Sequence, residues 1–511
     1  MVIALISLSL ANLCYLRIWD VLLHHPEREY LADTPFSPTD YFAVMAGVCL
    51  LALGLSLFIE AVWNNDNRWI RAGAMLVIFV VFLFPLDFVR RSSGAVFDAY
   101  SGKLRYLLVF GTSVGLFGSA VIFRRRFYSS LFWLLGVLSP YVAVNFAETI
   151  AHAVADPTPV IPRRFNEPAA AEEKSPANRV VWIIFDELDQ SVLFERRPDG
   201  LKLPRLDAFL DGAVIATQAY PPAGMTLASV PAMLTGRLIS GAEGKDDDEL
   251  DVRYADENAW HDFRESGNIV TDALRGRNHV AVRGWYHPYD RIFPQSPNLE
   301  ASSWGFPLFQ AFRGSDLISS IAAQYKFLAF PNHSRAVCRD LYLQMHASAL
   351  KDVANPKVDL VFLHYGIPHT PGIYDPKINA LSSTFSLDLT SSYLANLALA
   401  DRTLGELLDA VEFAGLGKRT SFIVTSDHWW RSSPWSKVKP DYRVPFFVRV
   451  PAGGAKLLVN VPICTTALRG VINDMLEGVV GDNAALAARL ARENIGGPMR
   501  YANGYPEVTR R

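Results

Sequence analysis

The run Val-Val-Trp-Ile-Ile-Phe at residues 180–185 decides the fold, and the acidic residues Asp186 and Glu187 follow it at once. A short run of β-branched and aromatic residues is typical of a buried strand in a parallel sheet. Similar runs, bounded by polar residues or proline, lie at 358–363, 421–425 and 446–450. Such runs alternate with helical patterns in this part of the chain, which predicts an α/β sandwich.

A helix is predicted between the second and third of these runs. Leu394, Leu397, Leu404 and Leu408 fall on one stripe of residues 391–415, as in an amphipathic helix. Asp401 interrupts the stripe, and a carboxylate there must find a partner. We expect a structural role for Asp401, because nothing places it at the end of a strand.

Polar residues stand at the ends of three predicted strands. Asp186, His364 and Asp427 each follow an apolar run, and open α/β sheets bind ligands beyond the carboxyl ends of their strands. An acidic pair such as Asp186 and Glu187 is, by itself, more often a helix cap or a turn. The dipeptide Asp427-His428 instead favours a metal role over a capping role.

The run Thr-Leu-Ala-Ser-Val-Pro-Ala-Met-Leu-Thr-Gly-Arg at residues 226–237 supplies a hydroxyl group. A divalent cation takes oxygen and imidazole ligands from separate segments of a chain, and it can activate a hydroxyl nucleophile at neutral pH. Thr226, Asp186 and the Asp427-His428 pair are the parts of such a site. They predict group transfer through a covalent adduct on Thr226.

The composition of the 511-residue chain changes near residue 150, which predicts two domains. We expect a transmembrane domain at 1–150, a linker at 151–178 that is rich in Pro, Ala and Glu, and a catalytic domain at 179–511. Each apolar run of the first domain is close to the ~20 residues that a spanning helix requires. The five expected spans are 2–23, 42–62, 70–89, 105–123 and 128–148.

The basic residues of the loops bear on the orientation of these spans. The triplet Arg124, Arg125 and Arg126 lies against two span ends, and cytoplasmic loops carry an excess of Lys and Arg. The triplet favours an N-terminus inside the cell, although the opposing loops also carry basic residues. Five spans would then place the catalytic domain outside the cytoplasm, on the periplasmic or extracellular side of the cell membrane.

The region after residue 178 resembles the alkaline phosphatase and sulfatase superfamily. Sulfatases have a Cys or Ser at the position of Thr226, and Thr cannot yield the formylglycine aldehyde that they need. Phosphoethanolamine transferases instead carry Thr-x-x-Ser-Val-Pro-x-Met, which Thr226, Ser229, Val230, Pro231 and Met233 reproduce. The arrangement of five spans and an outward domain is similar to that of lipoteichoic acid synthases. The resemblance implies that Thr226 is the nucleophile.

The same resemblance implies a ligand set and a substrate site. A divalent metal, most often zinc or manganese, would be bound by four residues, with Glu187 as an additional ligand. The four are Asp186, Thr226, Asp427 and His428. His369, His364 and His287 would bind the transferred group, although a lone histidine at a strand end is usually structural.

The sequence favours a membrane transferase that moves phosphoethanolamine or phosphoglycerol from a lipid donor to an envelope glycan or lipid. A membrane-anchored phosphodiesterase or sulfatase-like hydrolase is the first alternative, and a non-catalytic scaffold is the second. The net charge of −2 and the lack of a basic stripe argue against a nucleic-acid partner. Cys338 and Cys464 could form one disulfide or remain free, whereas the phosphoethanolamine transferases usually carry several disulfides.

Overall fold

A computed structural model describes residues 2–92, 102–154, 178–330, 332–384, 388–435 and 440–507. The chain forms two compact units. The first comprises Met1–Arg28, Phe36–Thr158 and Leu308–Pro331, and the second comprises Glu29–Pro35, Pro159–Pro307 and Asn332–Arg511. The predicted linker at 151–178 lies almost entirely outside the described residues.

The first unit is helical. Its longer helices begin and end as follows: Val2–Cys14, Pro38–Trp63, Arg68–Ser92, Gly102–Ile122, Arg124–Val137, Ser139–Val154 and Leu317–Ala329. Within the described residues, three stretches are long and apolar enough to cross a membrane, namely Pro38–Val62, Trp69–Leu86 and Arg125–Val154. A fourth span results if the helices Val2–Cys14 and Leu16–His24, which meet at a 55° bend, cross together.

The described residues therefore support three or four of the five expected spans. The expected span at 105–123 falls on the helix Gly102–Ile122, of which Phe110–Ile122 qualifies only as a shorter apolar helix. The bend in the first span follows Cys14, where the chain changes from α-helix through Leu16–Trp19 to a π-helical turn at Asp20–His24.

The second unit is built on an eight-stranded sheet. In chain order its strands are β1 (Arg179–Phe185), β2 (Val214–Ala216), β3 (Val280–Trp285), β4 (Leu299–Trp304), β5 (Leu360–Tyr365), β6 (Thr420–Thr425), β7 (Phe446–Arg449) and β8 (Leu457–Val459). Across the sheet their order is β8-β2-β7-β6-β1-β5-β3-β4. The strands β6, β1, β5, β3 and β4 are parallel, while β7 runs antiparallel to both of its neighbours.

The sheet is mixed, although the run at 446–450 was expected to form a parallel strand. Because β6, β1, β5 and β3 are parallel, their carboxyl ends meet at one edge, which we call the carboxyl edge. Ile184 of β1 pairs with Thr425 on one side and with His364 on the other. His364 therefore lies within β5, whereas the sequence predicts that it follows the strand.

Helices cover both faces of the sheet. All seven residues of β1 are buried, as a strand with two covered faces requires. His333–Val353 and Leu389–Phe413 pack against one face in the hydrophobic core. Leu468–Leu476 also contacts β1, and it forms a second layer with Thr226–Thr235 and Ile269–Arg275. The expectation of an α/β sandwich is confirmed.

Shorter elements complete the second unit. Its other helices include Arg28–Leu31, all but the first residue of which belongs to this unit, Gln190–Phe194, Pro204–Leu210, Tyr289–Ile292 and Asn483–Ala491. A small three-stranded sheet comprises Ile239–Gly244, Leu250–Tyr254 and Trp260–Asp262. Two-stranded pairs form between Ala219–Tyr220 and Ile463–Cys464, Tyr374–Asp375 and Ala380–Leu381, and Tyr501–Ala502 and Tyr505–Pro506.

The helix predicted at 391–415 extends from Leu389 to Phe413 and begins after Asp388, whose carboxylate accepts from the main-chain N–H of Thr390. Asp401 accepts a hydrogen bond of 2.7 Å from the N–H of Leu206, in the first turn of Pro204–Leu210. This contact satisfies both buried groups, as the structural role expected for Asp401 requires. Cys338 and Cys464 are both free, so they do not form a disulfide.

Candidate active site

Three side chains meet at the carboxyl edge in a group that could hold a metal ion. Asp186 directly follows β1, and Asp427 and His428 follow β6. One ligand atom from each of the three lies within 4.8 Å of the others, and all three residues are buried. His428 Nε2 is 3.6 Å from Asp186 Oδ1 and 3.3 Å from Asp427 Oδ2. The two Asp residues and the imidazole predicted from separate segments are thus brought together.

Thr226 joins this group from a different element. It is the first residue of the helix Thr226–Thr235, and Met225 before it is extended. The Thr226 hydroxyl donates to Asp427 Oδ2 at 2.8 Å, and its oxygen is 3.3 Å from His428 Nε2. Ser229, one turn later, donates to the main-chain carbonyl of Asp427 and ties the helix to the β6 segment.

The position of Thr226 at a helix start has a chemical consequence. The first N–H groups of a helix have no partner within the helix, and the helix dipole makes this end positive. A phosphoryl or sulfuryl group that approaches Thr226 Oγ1 would therefore meet a favourable potential. The predicted nucleophile lies where an anionic group is best stabilised.

Burial and neighbouring charge set the protonation of the two carboxyl groups. Burial raises the pKa of Asp186, and the charges of Asp427 and Glu187 raise it further. Burial also acts to raise the pKa of Asp427, but His428, His364 and the Thr226 hydroxyl outweigh it and lower that pKa. Two carboxylates that are this close and this buried need a positive partner if both are to be charged.

Glu187, the expected additional ligand, lies beside the group, and its carboxylate pairs with Arg431. Its carboxylate Oε1 is 3.2 Å from Arg431 Nε, and its N–H donates to Asp427 Oδ1 at 3.3 Å. Its φ angle is 63°, a left-handed conformation that a residue other than glycine rarely adopts. Glu187 therefore supports Asp427 through the main chain and neutralises Arg431 through the side chain.

His287 and His364 are buried at the same edge and are held by tyrosines. His287 Nε2 is 3.1 Å from the carbonyl oxygen of Thr226, and its Nδ1 is 2.7 Å from the hydroxyl oxygen of Tyr30. His364 Nδ1 is 2.7 Å from the hydroxyl oxygen of Tyr289. Burial lowers the pKa of His287 to about 3 and that of His364 to about 4, so both rings are neutral at physiological pH.

A glycine makes the contact between Tyr289 and His364 possible. A Cβ on Gly284 would lie 2.3 Å from the Tyr289 ring and 3.1 Å from Cβ of His364. His364 Nε2 is buried and has no hydrogen-bond partner among the described residues. It is thus a free lone pair or a free N–H at the edge of the site.

His369 is more open than the other two histidines. It is half-buried, its ring centroid is 5.6 Å from that of Trp285, and its main-chain N–H donates to the Asp186 carbonyl at 3.2 Å. Asn396 holds the same turn, because its side-chain amide donates to the carbonyl oxygens of His369 and Pro371. The predicted histidine segment at 364–371 therefore lies at the site.

The family described as Sulfatase matches residues 178–472 of the chain. This chain belongs to the sulfatase family. The superfamily of sulfatases and alkaline phosphatases consists of enzymes that act on phosphate or sulfate esters, as the resemblance of the sequence had indicated. Among the curated proteins, none is similar enough to this chain to count as a match.

Solved structures of several sulfatase-family enzymes are similar to this chain at low identity. The phosphonate monoester hydrolase of Agrobacterium radiobacter is 14% identical, with a TM-score of 0.42, over 63% of this chain and 78% of its own. The PsFucS1 sulfatase from Pseudoalteromonas sp. is 14% identical, with a TM-score of 0.41, over 65% and 74%. The lipoteichoic acid synthase LtaP from Listeria monocytogenes is 13% identical, with a TM-score of 0.39, over 59% and 72%.

The residues of this sulfatase-family site fit a divalent metal. Asp186 Oδ1 is buried and accepts no hydrogen bond from the described residues, which would be costly without a cation. Two carboxylates, one imidazole and one hydroxyl form a donor set that zinc and manganese both accept. Asp186, Asp427, His428 and Thr226 are the residues that would hold the metal.

Three further residues of the site are not among those predicted from the sequence. Arg431 follows the predicted ligands by three positions, so its charge beside a metal site was a usable signal. Tyr289 follows His287 by two positions, but a tyrosine there gave no sign of its contact with His364. Tyr30 is 257 residues from His287, and nothing in its local sequence indicates that contact.

Proposed function

We propose that the protein is a membrane transferase that moves a phospho-headgroup from a lipid to an envelope acceptor through a covalent adduct on Thr226. The observation that carries this proposal is the placement of the Thr226 hydroxyl. It lies at a helix start, donates to Asp427 Oδ2 at 2.8 Å, and is 3.3 Å from His428 Nε2. A threonine at this position excludes the formylglycine chemistry of conventional sulfatases.

The first step forms the adduct. Thr226 Oγ1 attacks the phosphorus of a lipid such as phosphatidylethanolamine or phosphatidylglycerol, and the P–O bond to the diacylglycerol oxygen breaks. The hydroxyl proton leaves towards Asp427 Oδ2, which accepts the hydrogen bond of that hydroxyl. The diacylglycerol oxygen gains a proton, so diacylglycerol leaves as the neutral alcohol.

The second step transfers the group. A hydroxyl oxygen of an envelope glycan or lipid attacks the same phosphorus, and the P–Oγ1 bond breaks. Asp427 returns its proton to Thr226 Oγ1, and the proton of the acceptor restores the one given to the diacylglycerol oxygen in the first step. A bound divalent metal would lower the pKa of the Thr226 hydroxyl and offset negative charge on the phosphoryl oxygens.

The histidines take different parts in this scheme. Both ring nitrogens of His287 have partners, so His287 orients the nucleophile segment and is not free to supply a proton. His369 is half-buried beside Trp285, and we assign it the delivery of the proton to the leaving diacylglycerol oxygen. His364 Nε2 is available to bind the transferred group.

The membrane part supports a lipid donor. The three or four candidate spans of the first unit would keep the site at a bilayer, where a lipid donor is present at high effective concentration. We propose five spans and a catalytic domain outside the cytoplasm, as the Arg124–Arg126 triplet favours. A fusion of alkaline phosphatase to the C-terminus should then be active, and a fusion of a fluorescent protein that folds only in the cytoplasm should be dark.

Intact-mass analysis tests the chemistry directly. Purified full-length protein is incubated with a panel of phospholipids, and the mass increase identifies the headgroup that remains on the protein. The adduct should map to the peptide that contains Thr226 and should be absent from Thr226→Ala. An adduct on another residue would contradict the proposal.

A hydrolase is the second candidate, because the same site and adduct would serve if water replaced the acceptor. The two functions differ in the fate of the adduct. In a transferase the adduct persists in buffer and disappears when an acceptor with free hydroxyl groups is added. A hydrolase would lose the adduct at the same rate with and without acceptor. Metal analysis of the purified protein tests the remaining possibility of a scaffold, which would hold no metal.

A further inference from the structure

The short segment Glu29–Pro35 belongs to the second unit, although residues before and after it in the chain belong to the first. The side chain of Arg291 binds the main chain of this segment. Its guanidinium donates to the carbonyl oxygens of Tyr30, Ala32 and Asp33 at 2.8 to 3.1 Å. The N–H of Phe306 donates to the Leu31 carbonyl at 2.9 Å. These contacts hold a piece of chain from between the first two candidate spans against the rest of the second unit, which we call the catalytic unit.

Tyr30 is the residue of this segment that reaches the site. Its side chain is fully buried, its hydroxyl oxygen is 2.7 Å from His287 Nδ1, and the two rings meet edge to face at 5.9 Å. The ring occupies a slot beside Gly244, where a Cβ would lie 2.6 Å from Tyr30 Cγ. Any larger residue at position 244 would displace Tyr30, so the slot is shaped for this side chain.

The hydrogen bonds of His287 determine its tautomer. The Thr226 carbonyl can only accept, so His287 Nε2 must carry the proton and donate to it at 3.1 Å. The lone pair is then on Nδ1, and the Tyr30 hydroxyl donates to it. His287 is 1% exposed, so no water replaces this donor if it is lost. The Thr226 carbonyl thus fixes the tautomer, and Tyr30 holds the ring in the orientation that binds the main chain of Thr226.

We propose that Tyr30 is a positioning residue for the nucleophile and acts through His287. It fixes the ring that holds the Thr226 carbonyl, and with it the start of the helix on which the reactive hydroxyl lies. The placement of Thr226 thus depends on a segment encoded between two membrane helices. The inference rests on the proposed role of Thr226 as the nucleophile.

Kinetics of the full-length protein in phospholipid nanodiscs test this role with bis(4-nitrophenyl) phosphate as the substrate. Tyr30→Phe keeps the ring in its slot and removes only the hydroxyl. We expect kcat to fall about 10- to 100-fold with KM close to the wild-type value, by analogy with the partners that orient metal-bound histidines, because His287 contacts the main chain of the ligand Thr226. Tyr254→Phe is the matched control, because it removes a buried tyrosine's hydrogen bond to Ser266 away from the site. An unchanged kcat in Tyr30→Phe overturns the inference.

A double-mutant cycle separates positioning from general stabilisation. If Tyr30 acts through His287, then Tyr30→Phe has no further effect on kcat in a His287→Ala background. Losses that multiply in the double variant would mean that Tyr30 acts independently, and the inference would be wrong. Thermal unfolding of the same variants shows whether any loss of rate follows from a loss of fold.

Histidine labelling gives a result that does not depend on activity. Diethyl pyrocarbonate is applied to full-length protein, and modified histidines are located by mass spectrometry. Tyr30→Ala opens the slot, so labelling of His287 should rise several-fold while His364 stays protected. Leu31→Ala, which removes a buried neighbour of the same segment, should leave His287 unlabelled.

The two kinds of measurement distinguish a failure of this inference from a failure of the proposed function. A wild-type protein that forms no adduct and cleaves no diester contradicts the proposed function, and labelling then decides whether Tyr30 covers and orders His287. Equal labelling of His287 in the wild type and in Tyr30→Ala contradicts the inference even if the enzyme is an active transferase.

Discussion

The strand Arg179–Phe185 and the helix segment Trp69–Leu86 are both strongly apolar, but they use their apolar side chains in opposite ways. Every residue of the strand is buried in protein, whereas only 22% of the helix segment is buried. Large side chains of that helix, such as Trp69 and Leu76, are exposed. An exposed apolar surface of this length is typical of contact with a membrane or with another protein. Composition therefore identifies apolar segments, but only the exposure of their side chains in the structure shows whether a segment is buried in protein or not.

The same contrast holds for charged groups. In the catalytic unit, the buried carboxylates Asp186 and Asp427 are placed together at the carboxyl edge, where their mutual repulsion must be offset. A bilayer-facing helix surface has no such means of holding charge. The two regions should respond differently to the loss and to the gain of polar groups, and this difference can be measured.

The largest expected effect is the loss of the nucleophile. Thr226→Ala should lower the rate of diester cleavage about a thousandfold or more, because the covalent step has no substitute. Thr235→Ala, at the other end of the same helix, is the control. It removes a buried hydroxyl that bonds to the Pro231 carbonyl and should leave the rate close to that of the wild type. A substantial residual rate in Thr226→Ala at saturating metal would rule out the covalent mechanism.

The next effect concerns the metal group. Asp427→Asn should weaken metal binding by more than about 100-fold, since even outer partners of metal ligands cost 10- to 100-fold. Asp401→Asn is the matched control in the same unit, because Asp401 is not part of the metal group and accepts from main-chain N–H groups such as that of Leu206. It should cost about 1 kcal/mol of stability and leave metal affinity unchanged. Calorimetric titration of the metal-free protein measures metal affinity, and thermal or denaturant unfolding measures stability. Equal metal affinity in all three proteins would contradict the assigned ligands.

Much of this site could be predicted from sequence because its signals are local. Asp186 and the Asp427-His428 pair stand next to apolar runs whose strands are parallel, so their meeting at one edge follows from the fold. His364 is on the neighbouring parallel strand, but it lies inside that strand and not after it, because β5 extends through Tyr365. Boundaries of this kind depend on pairing with β1 and β3, which the local sequence does not show.

The contacts that the sequence could not predict are those between distant segments. Tyr30 reaches His287 only because Arg291 and Phe306 hold the segment Glu29–Pro35 on the catalytic unit. The sequence also predicts one continuous helix for the first candidate span, whereas the chain bends by 55° after Cys14. In both cases tertiary packing decides the structure, and no periodicity or motif records it.

A moderate effect is expected when charge is added to an exposed apolar position. Leu53, within the candidate span Pro38–Val62, and Phe413, at the end of a helix in the catalytic unit, are both exposed. Leu53→Arg should disfavour membrane insertion by about 2.5 to 3.5 kcal/mol. Phe413→Arg should change the stability of the catalytic unit by no more than about 0.5 kcal/mol. If an insertion assay gave Leu53→Arg a cost as small as the one that unfolding gives for Phe413→Arg, the helix that contains Leu53 would not face lipid.

The smallest expected effect is the loss of activity on soluble diesters in a chain that begins at residue 178, and its comparison with native membranes is informative about function. This fragment lacks both the candidate spans and Tyr30, so its activity reflects two losses at once. On soluble diesters it should be slower than the full-length enzyme by about the same 10- to 100-fold factor as Tyr30→Phe, because His287 loses the same partner. On native membranes a transferase should lose much more, since the spans supply lipid donor at high effective concentration and the adduct must wait for an acceptor. A hydrolase of soluble substrates would lose only the Tyr30 factor on both. Mass spectrometry of envelope lipids and glycans, with Tyr30→Phe as the reference, separates these outcomes. A fragment that is as active as Tyr30→Phe on native membranes would favour the hydrolase.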